Sequence, residues 1–256
     1  MATMPMRFSQ YCNDLVDRTF QSGYLQSIGA GWTSWAVESF MDEAAHEAGL
    51  DPLKFRLGLL DGAGHNAGSA PNSVGGARRQ AAVLTRCAEK AGWGSAMPKD
   101  VGLGIASTFG QERGMPTWIA CVARVRVDRA NGYITVEKLT LVIDCGIVIH
   151  PDSAEAQVEG AALWGLSLTL YEGTEFVKGQ PRDTNLDSYR VLRMGEVPEI
   201  EIEFLPSAEV PVGLGEPAMT PVAPAIANAI FGATGARVRD LPIRPQAVLH
   251  ALARES

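Results

Sequence analysis

Only four cysteines occur, Cys12, Cys87, Cys121 and Cys145, and none forms a C-x-x-C pair. Their spacing matches no zinc or iron–sulfur pattern, so buried thiols are the expectation. The four histidines, His46, His65, His150 and His250, are scattered, and no pair sits at ligand spacing on one helix face, so no protein-ligated metal is expected. There is no G-x-S-x-G elbow for a serine nucleophile. Basic residues are outnumbered, 22 against 29 acidic, and the net charge of -7 offers no field for nucleic acid. No apolar run is long enough to cross a bilayer, so no membrane insertion is expected. Met1 to Phe20 is mixed polar with no secretory pattern. By its own sequence the chain is therefore expected in the cytoplasm, with co-export beside a signal-bearing partner left open. Internal repeats and low-complexity segments are also missing. What remains is ordinary globular composition, 46% hydrophobic and 20% charged, with length for one large domain or two small ones.

Local signals give an order of elements. From Trp32 to Ala48, Val37, Phe40, Met41, Ala44 and Ala48 recur at helical spacing, and Gly49 supplies a stop. Asp51-Pro52 reads as an N-cap followed by proline in the first turn, with Leu53, Leu57 and Leu60 as the stripe behind it. A Gly/Ser/Asn-rich loop covers residues 61–76, and Ala77–Ala91 reads as helix ending at Gly92. The period then changes. Cys121, Ala123, Val125 and Val127 alternate with Val122, Arg124, Arg126 and Asp128, the pattern of a half-buried strand. Asn131-Gly132 marks a hairpin, and the return strand Tyr133–Asp144 changes parity near Lys138, which predicts a bulge. Asp152, with Glu155 as capping partner, is expected to open a long helix bearing Gln157, Gly160 and Gly165. Ile200, Ile202 and Phe204 alternate with glutamates as another strand. Pro224–Ala233 reads as a short helix ended by Gly235, and Pro245 opens the last helix. Together these predict an α+β fold, an antiparallel sheet with packed helices.

Two glycine-rich stretches invite a ligand. Gly62–Gly68 follows a helix and leads into loop, so it lacks the strand–turn–helix context of a dinucleotide fingerprint and reads as a connection. Pro211-Val212-Gly213-Leu214-Gly215-Glu216-Pro217 is more informative. Gly213 and Gly215 remove side chains around Leu214, so backbone can approach a ligand. Pro217 is expected to hold Glu216 extended. Apolar neighbours Val212, Leu214, Ala218 and Met219 are expected to raise its pKa, which suits a general base. The competing reading is a turn whose glutamate faces water, and on residue chemistry alone the two are balanced. Cys145, at a strand end before Gly146, reads as a buried thiol.

Gly213-Leu214-Gly215-Glu216-Pro217 followed by Pro221–Phe231, Thr234-Gly235 and Leu241-Pro242-Ile243 resembles the C-terminal signature of the xanthine dehydrogenase, or molybdenum hydroxylase, family. The closest likeness is to molybdopterin-binding subunits of the isoquinoline 1-oxidoreductase and bacterial aldehyde dehydrogenase type. Asp144-Cys145-Gly146 through Gln157-Val158-Glu159-Gly160, and Ala36 to Leu60, fit as well, so nearly all the chain from Gly23 onward is covered. The resemblance implies an enzyme that oxidises an aldehyde or N-heterocycle with water-derived oxygen, as part of a complex. It places Glu216 beside molybdenum as the base, Gln157 against the pterin, and Gly213, Leu214 and Gly215 along the cofactor. Gln26, Ser27 and Gly29 stand at the family's cofactor-touching turn, with Gln26 where arginine is usual.

The resemblance also sets organisation. Residues 1–22 are an N-terminal extension and 23–256 a molybdopterin-binding domain, the C-terminal part of a catalytic subunit. The family's Gly-Gln-Gly loop is not in this sequence. The expected cofactor is therefore a molybdenum–molybdopterin, in its cytosine dinucleotide form, shared with a larger molybdopterin-binding chain. Iron–sulfur clusters are expected on a separate [2Fe-2S] subunit, with a flavin or cytochrome c subunit beyond it. Two other classes stay open from sequence: a non-catalytic assembly subunit that keeps the fold, and an unrelated α+β binding module.

Overall fold

The computed structural model describes residues 27, 29–60, 76–111 and 116–255. The expected N-terminal extension, Gln26, Cys12 and nearly all of the 61–76 loop lie outside them. The described elements begin with helices α1 (Gly29–Glu47), α2 (Pro52–Leu59) and α3 (Gly76–Ala91). Strands β1 (Val101–Gln111), β2 (Pro116–Val127) and β3 (Ile134–Asp144) follow, then helix α4 (Pro151–Leu170). A two-stranded hairpin, β4 (Phe176–Val177) with β5 (Gln180–Pro181), precedes β6 (Glu199–Phe204). A 3-10 turn (Pro217–Met219) leads to α5 (Val222–Thr234), and α6 (Pro245–Glu255) closes the order.

The main sheet runs β1-β2-β3-β6. Its first three strands are antiparallel, and the hairpin at Asn131-Gly132 joins β2 to β3. β6 departs from expectation and pairs parallel to β3, because the chain between them crosses over through α4. The predicted bulge is present. Arg124 faces Lys138 and Val125 faces Val136, so Glu137 is the extra residue. That places its carboxylate between Arg124 and Arg126, at 3.0 and 2.7 Å.

Three features have tertiary causes. β1 is an element for which no expectation was formed. Gly102 and Gly104 let α5 lie on the sheet: a Cβ at 104 would come within 2.1 Å of the Ala229 nitrogen and 2.2 Å of the Ala225 oxygen. β2 is not half-wet along most of its length. α3 covers one face, over Trp118, Ala120 and Val122, while α4 and α5 cover Ile119, Cys121 and Ala123 on the other. α1 turns its charged side inward. Glu38 and Asp42 are buried, whereas Trp32, Val37 and Phe40 are exposed. Arg56 Nε binds Glu38 at 2.9 Å and Arg237 Nη1 binds Asp42 at 2.6 Å, so the buried carboxylates are paired.

Caps follow local chemistry with one exception. Asp51 accepts from Lys54 N at 3.0 Å, and Gly235 closes α5 with φ of 81°. α4 is capped by His150, whose Nδ1 accepts from Ser153 N at 3.2 Å, and not by Asp152 with Glu155. Pro151 has no N–H and takes the first helical position, so the cap falls on His150, two residues earlier than Asp152.

Candidate active site and family

The loop bearing Glu216 crosses one end of the sheet, where β1 finishes, β2 begins and β3 leaves. Glu216 is half-buried, and Pro217, Ala218, Met219 and Thr220 behind it are buried. Its backbone is not extended: φ is -120° and ψ is -38°. Proline disfavours that geometry in the preceding residue. Two hydrogen bonds hold it. The Glu216 carbonyl accepts from Met219 N at 3.1 Å, which makes the 3-10 turn, and from Ser27 Oγ at 2.8 Å. The turn runs directly into α5, so Glu216 stands one turn ahead of that helix.

Several sequence-predicted site residues meet here. Ser27, with φ of 61°, ties the entry of α1 to Glu216. Gly29 is the first residue of α1, and a Cβ there would touch the Trp32 ring at 3.4 Å. Gly31 presses against Met219, where a Cβ would meet Cε at 3.2 Å. Gln157 lies exposed on the second turn of α4, and a Cβ at Gly215 would come within 2.9 Å of its Oε1. Leu214 and Gly215 are half-buried and Gly213 is exposed. Gln157, Gly213, Leu214, Gly215, Glu216, Ser27 and Gly29 thus form one neighbourhood, drawn from three separated parts of the chain.

Sequence reasoning missed the residues that hold this loop. Thr117 Oγ1 donates to the Gly213 carbonyl at 2.8 Å, and Thr108 and Thr220 share a hydroxyl hydrogen bond at 2.5 Å. Asp144 is buried and receives Arg79 Nε at 2.6 Å. Cys145 is buried as expected. Burial first, then the Asp144 carboxylate, pushes its thiol pKa up, so it is a poor nucleophile. Among the described residues no three His, Cys, Asp or Glu side chains gather to hold a metal ion. None of the described helices is long and apolar enough to cross a membrane.

The residues present fit the edge of a pterin. Gly215, which lacks a side chain, lies beside the amide of Gln157, which can both donate and accept. The gap at Gly215 is one that a single Cβ would close.

Comparison with known proteins gives the family. The profile of the molybdopterin cofactor-binding domain matches residues 63–198, just over half of the chain. Gln157 falls within the matched span and Glu216 beyond it. The chain is 58% identical to a membrane-bound aldehyde dehydrogenase [pyrroloquinoline-quinone] of Gluconacetobacter polyoxogenes, over 94% of its own length and 31% of that protein's. It is 31% identical to the isoquinoline 1-oxidoreductase subunit beta of Brevundimonas diminuta, over 87% of this chain and 26% of that one. The chain therefore spans about a third or less of these relatives' length. In fold it is similar to the aldehyde oxidoreductase of Desulfovibrio gigas, with a TM-score of 0.69 at 17% identity, covering 90% of this chain and 41% of that one. The reading as an unrelated binding module is thereby overturned. The chain belongs to the molybdopterin cofactor-binding domain family, among the molybdopterin-binding subunits of the molybdenum hydroxylases.

Proposed function

We propose that this chain supplies the proton-accepting side of a molybdenum hydroxylase active site, with Glu216 as the base. The carrying observation is the position of Glu216: half-buried directly after Gly215, which lies beside Gln157, with its carbonyl anchored by Ser27. A molybdenum cofactor bound there would supply the two-electron acceptor for oxidising an aldehyde or an electron-poor ring carbon. Gln157 would hold the pterin edge, while Gly213, Leu214 and Gly215 would border the metal through their backbone. Ser27 and Gly29, at the entry of α1, would approach the cofactor, with Ser27 already bonded to the Glu216 carbonyl, and Gln26 keeps the cofactor-touching role that the resemblance implies. Glu216 would take the proton of the water-derived oxygen that attacks the substrate.

The cytosine dinucleotide form of the cofactor belongs to the same proposal. So does work beside a larger molybdopterin-binding segment, a [2Fe-2S] unit, and a flavin or cytochrome c unit. The support is that the chain spans only 31% and 26% of its relatives. The 58% relative is named for pyrroloquinoline-quinone, whereas the family matched by the chain itself is named for molybdopterin. The chain's own match favours the latter.

The test is Glu216→Gln, purified from a host that makes the cofactor and assayed on aldehydes and N-heterocycles. Metal content, extracted nucleotide and extracted quinone are measured on the same samples. The expected result is unchanged molybdenum, cytosine nucleotide in the extract, and a rate lower by about a hundredfold or more. Near wild-type turnover in the metal-loaded variant would overturn the base assignment. Quinone without molybdenum would overturn the cofactor.

A further inference from the structure

The loop that carries Glu216 is fastened to the sheet end through residues that have no role in the proposed chemistry. Ile147 N donates to the Glu209 carbonyl at 2.9 Å, and Val212 N donates to the Cys145 carbonyl at 2.9 Å. Thr117 Oγ1 donates to the Gly213 carbonyl at 2.8 Å. A fourth restraint is steric. Gly146 has φ of 75°, and a Cβ there would lie 2.1 Å from the Val210 oxygen. The loop is thus pinned at positions 209, 210, 212 and 213, immediately before Glu216.

These pins converge on one corner. Thr117 is the second residue of β2, and its neighbour Trp118 faces Asp144, the last residue of β3. Asp144 is 7% exposed. Its Oδ1 accepts from Gly146 N at 3.2 Å and its Oδ2 from Arg79 Nε at 2.6 Å. The Arg79 charge offsets the cost of burying this carboxylate, and the carboxylate shapes the Cys145-Gly146 turn on which the loop rests. Thr117 is fully buried and gives its hydroxyl to the Gly213 carbonyl, which ties an exposed loop residue to the sheet.

We propose that Thr117, with the Asp144–Arg79 pair behind it, is a positioning residue that sets where the Glu216 carboxylate stands. This rests on the reading of Glu216 as the base. Thr117 acts through Gly213, three residues ahead of Glu216. A displacement of about 1 Å at a reacting group can cost a hundredfold in rate. Removing one buried hydroxyl should therefore reach catalysis while leaving the fold in place.

The experiment compares Thr117→Val, which is nearly isosteric, with Thr117→Ser, which restores the hydroxyl. Both are made in the full chain as purified from a cofactor-producing host, with Glu216→Gln in parallel. Four quantities are read: kcat, KM, molybdenum content, and amide hydrogen exchange across 209–217. For Thr117→Val the expected result is a kcat lower by about tenfold to a hundredfold, with KM and molybdenum within twofold of wild type. Exchange at Val212 should accelerate, and serine should recover both kcat and protection. Unchanged kcat with unchanged exchange would overturn the proposal. So would a loss of melting temperature and metal together with no exchange change confined to the loop, because that describes a core residue. If Glu216→Gln is fully active, the base reading falls by itself, and the exchange measurement still decides whether Thr117 anchors the loop.

Discussion

Gly104 and Ala229 lie so close that a methyl group on the first would sit 2.1 Å from the backbone nitrogen of the second. α5 packs on β1 through this contact, and α5 follows directly from the turn that carries Glu216. Gly104→Ala should force the helix off the sheet. Overpacking of this kind typically costs 1–3 kcal/mol and occasionally more, and here both offending atoms are backbone. The expected loss is about 3 kcal/mol, read from urea or thermal unfolding. A variant as stable as wild type would mean that α5 does not lie where described.

Glu38 gives stability a pH dependence. Burial, the largest cause, raises its pKa above the usual carboxylate value, although Arg56 pulls the other way. The folded state therefore holds the proton to higher pH than the unfolded state. The stability that Glu38 contributes is fully present below its unfolded pKa and is lost as pH rises through its folded pKa. Glu38→Gln should remove this falling limb above about pH 4.5 and match wild type below it. Stability curves from chemical denaturation at a series of pH values would check this, and identical slopes would count against it.

Gln157 stands against Gly215 and faces outward, where it carries little of the core. Gln157→Ala should lower molybdenum occupancy severalfold while moving Tm by no more than a degree or two, since exposed substitutions usually stay within about 0.5 kcal/mol. Full metal content combined with a large drop in Tm would assign it to the core instead.

Ser27, just ahead of α1, also reaches Glu216. Ser27→Ala removes one of the two hydrogen bonds on the Glu216 carbonyl, at a cost of about 1 kcal/mol. The expected phenotype is a kcat reduced by roughly threefold to tenfold with KM little changed, since the lost restraint acts on the base. A change in KM alone would place Ser27 in substrate binding.

Much of the framework was legible because its causes are local. Asp51 caps α2 and Gly235 ends α5 through contacts within a few positions. The turn at Gly132 adopts φ of 75°, which the Asn-Gly pair predicts. The site was legible in part for the same reason. Gly213, Gly215 and Glu216 are adjacent in sequence, and Gln157 carries a family motif. Thr117 gave no signal, because a threonine near a strand start looks like any other until Gly213 is seen 96 positions away.

By itself, then, the amino-acid order determined the α2 cap and the α5 stop, the β2–β3 hairpin with its bulge, and the Gly213-Leu214-Gly215-Glu216 run on which the resemblance rests. Each depends on backbone preferences and side-chain periods that act over a turn or a strand. Tertiary structure decided the rest. It made the stretch through Gly102 and Gly104 the strand that admits α5. It buried Glu38 and Asp42 and left Phe40 outside, because Arg56 and Arg237 arrive from elsewhere to pair the carboxylates. It also bent Glu216 into a helical backbone before proline, because Ser27 binds its carbonyl from 189 positions away. These outcomes turn on desolvation and close packing between distant segments, and no short stretch of sequence contains both partners.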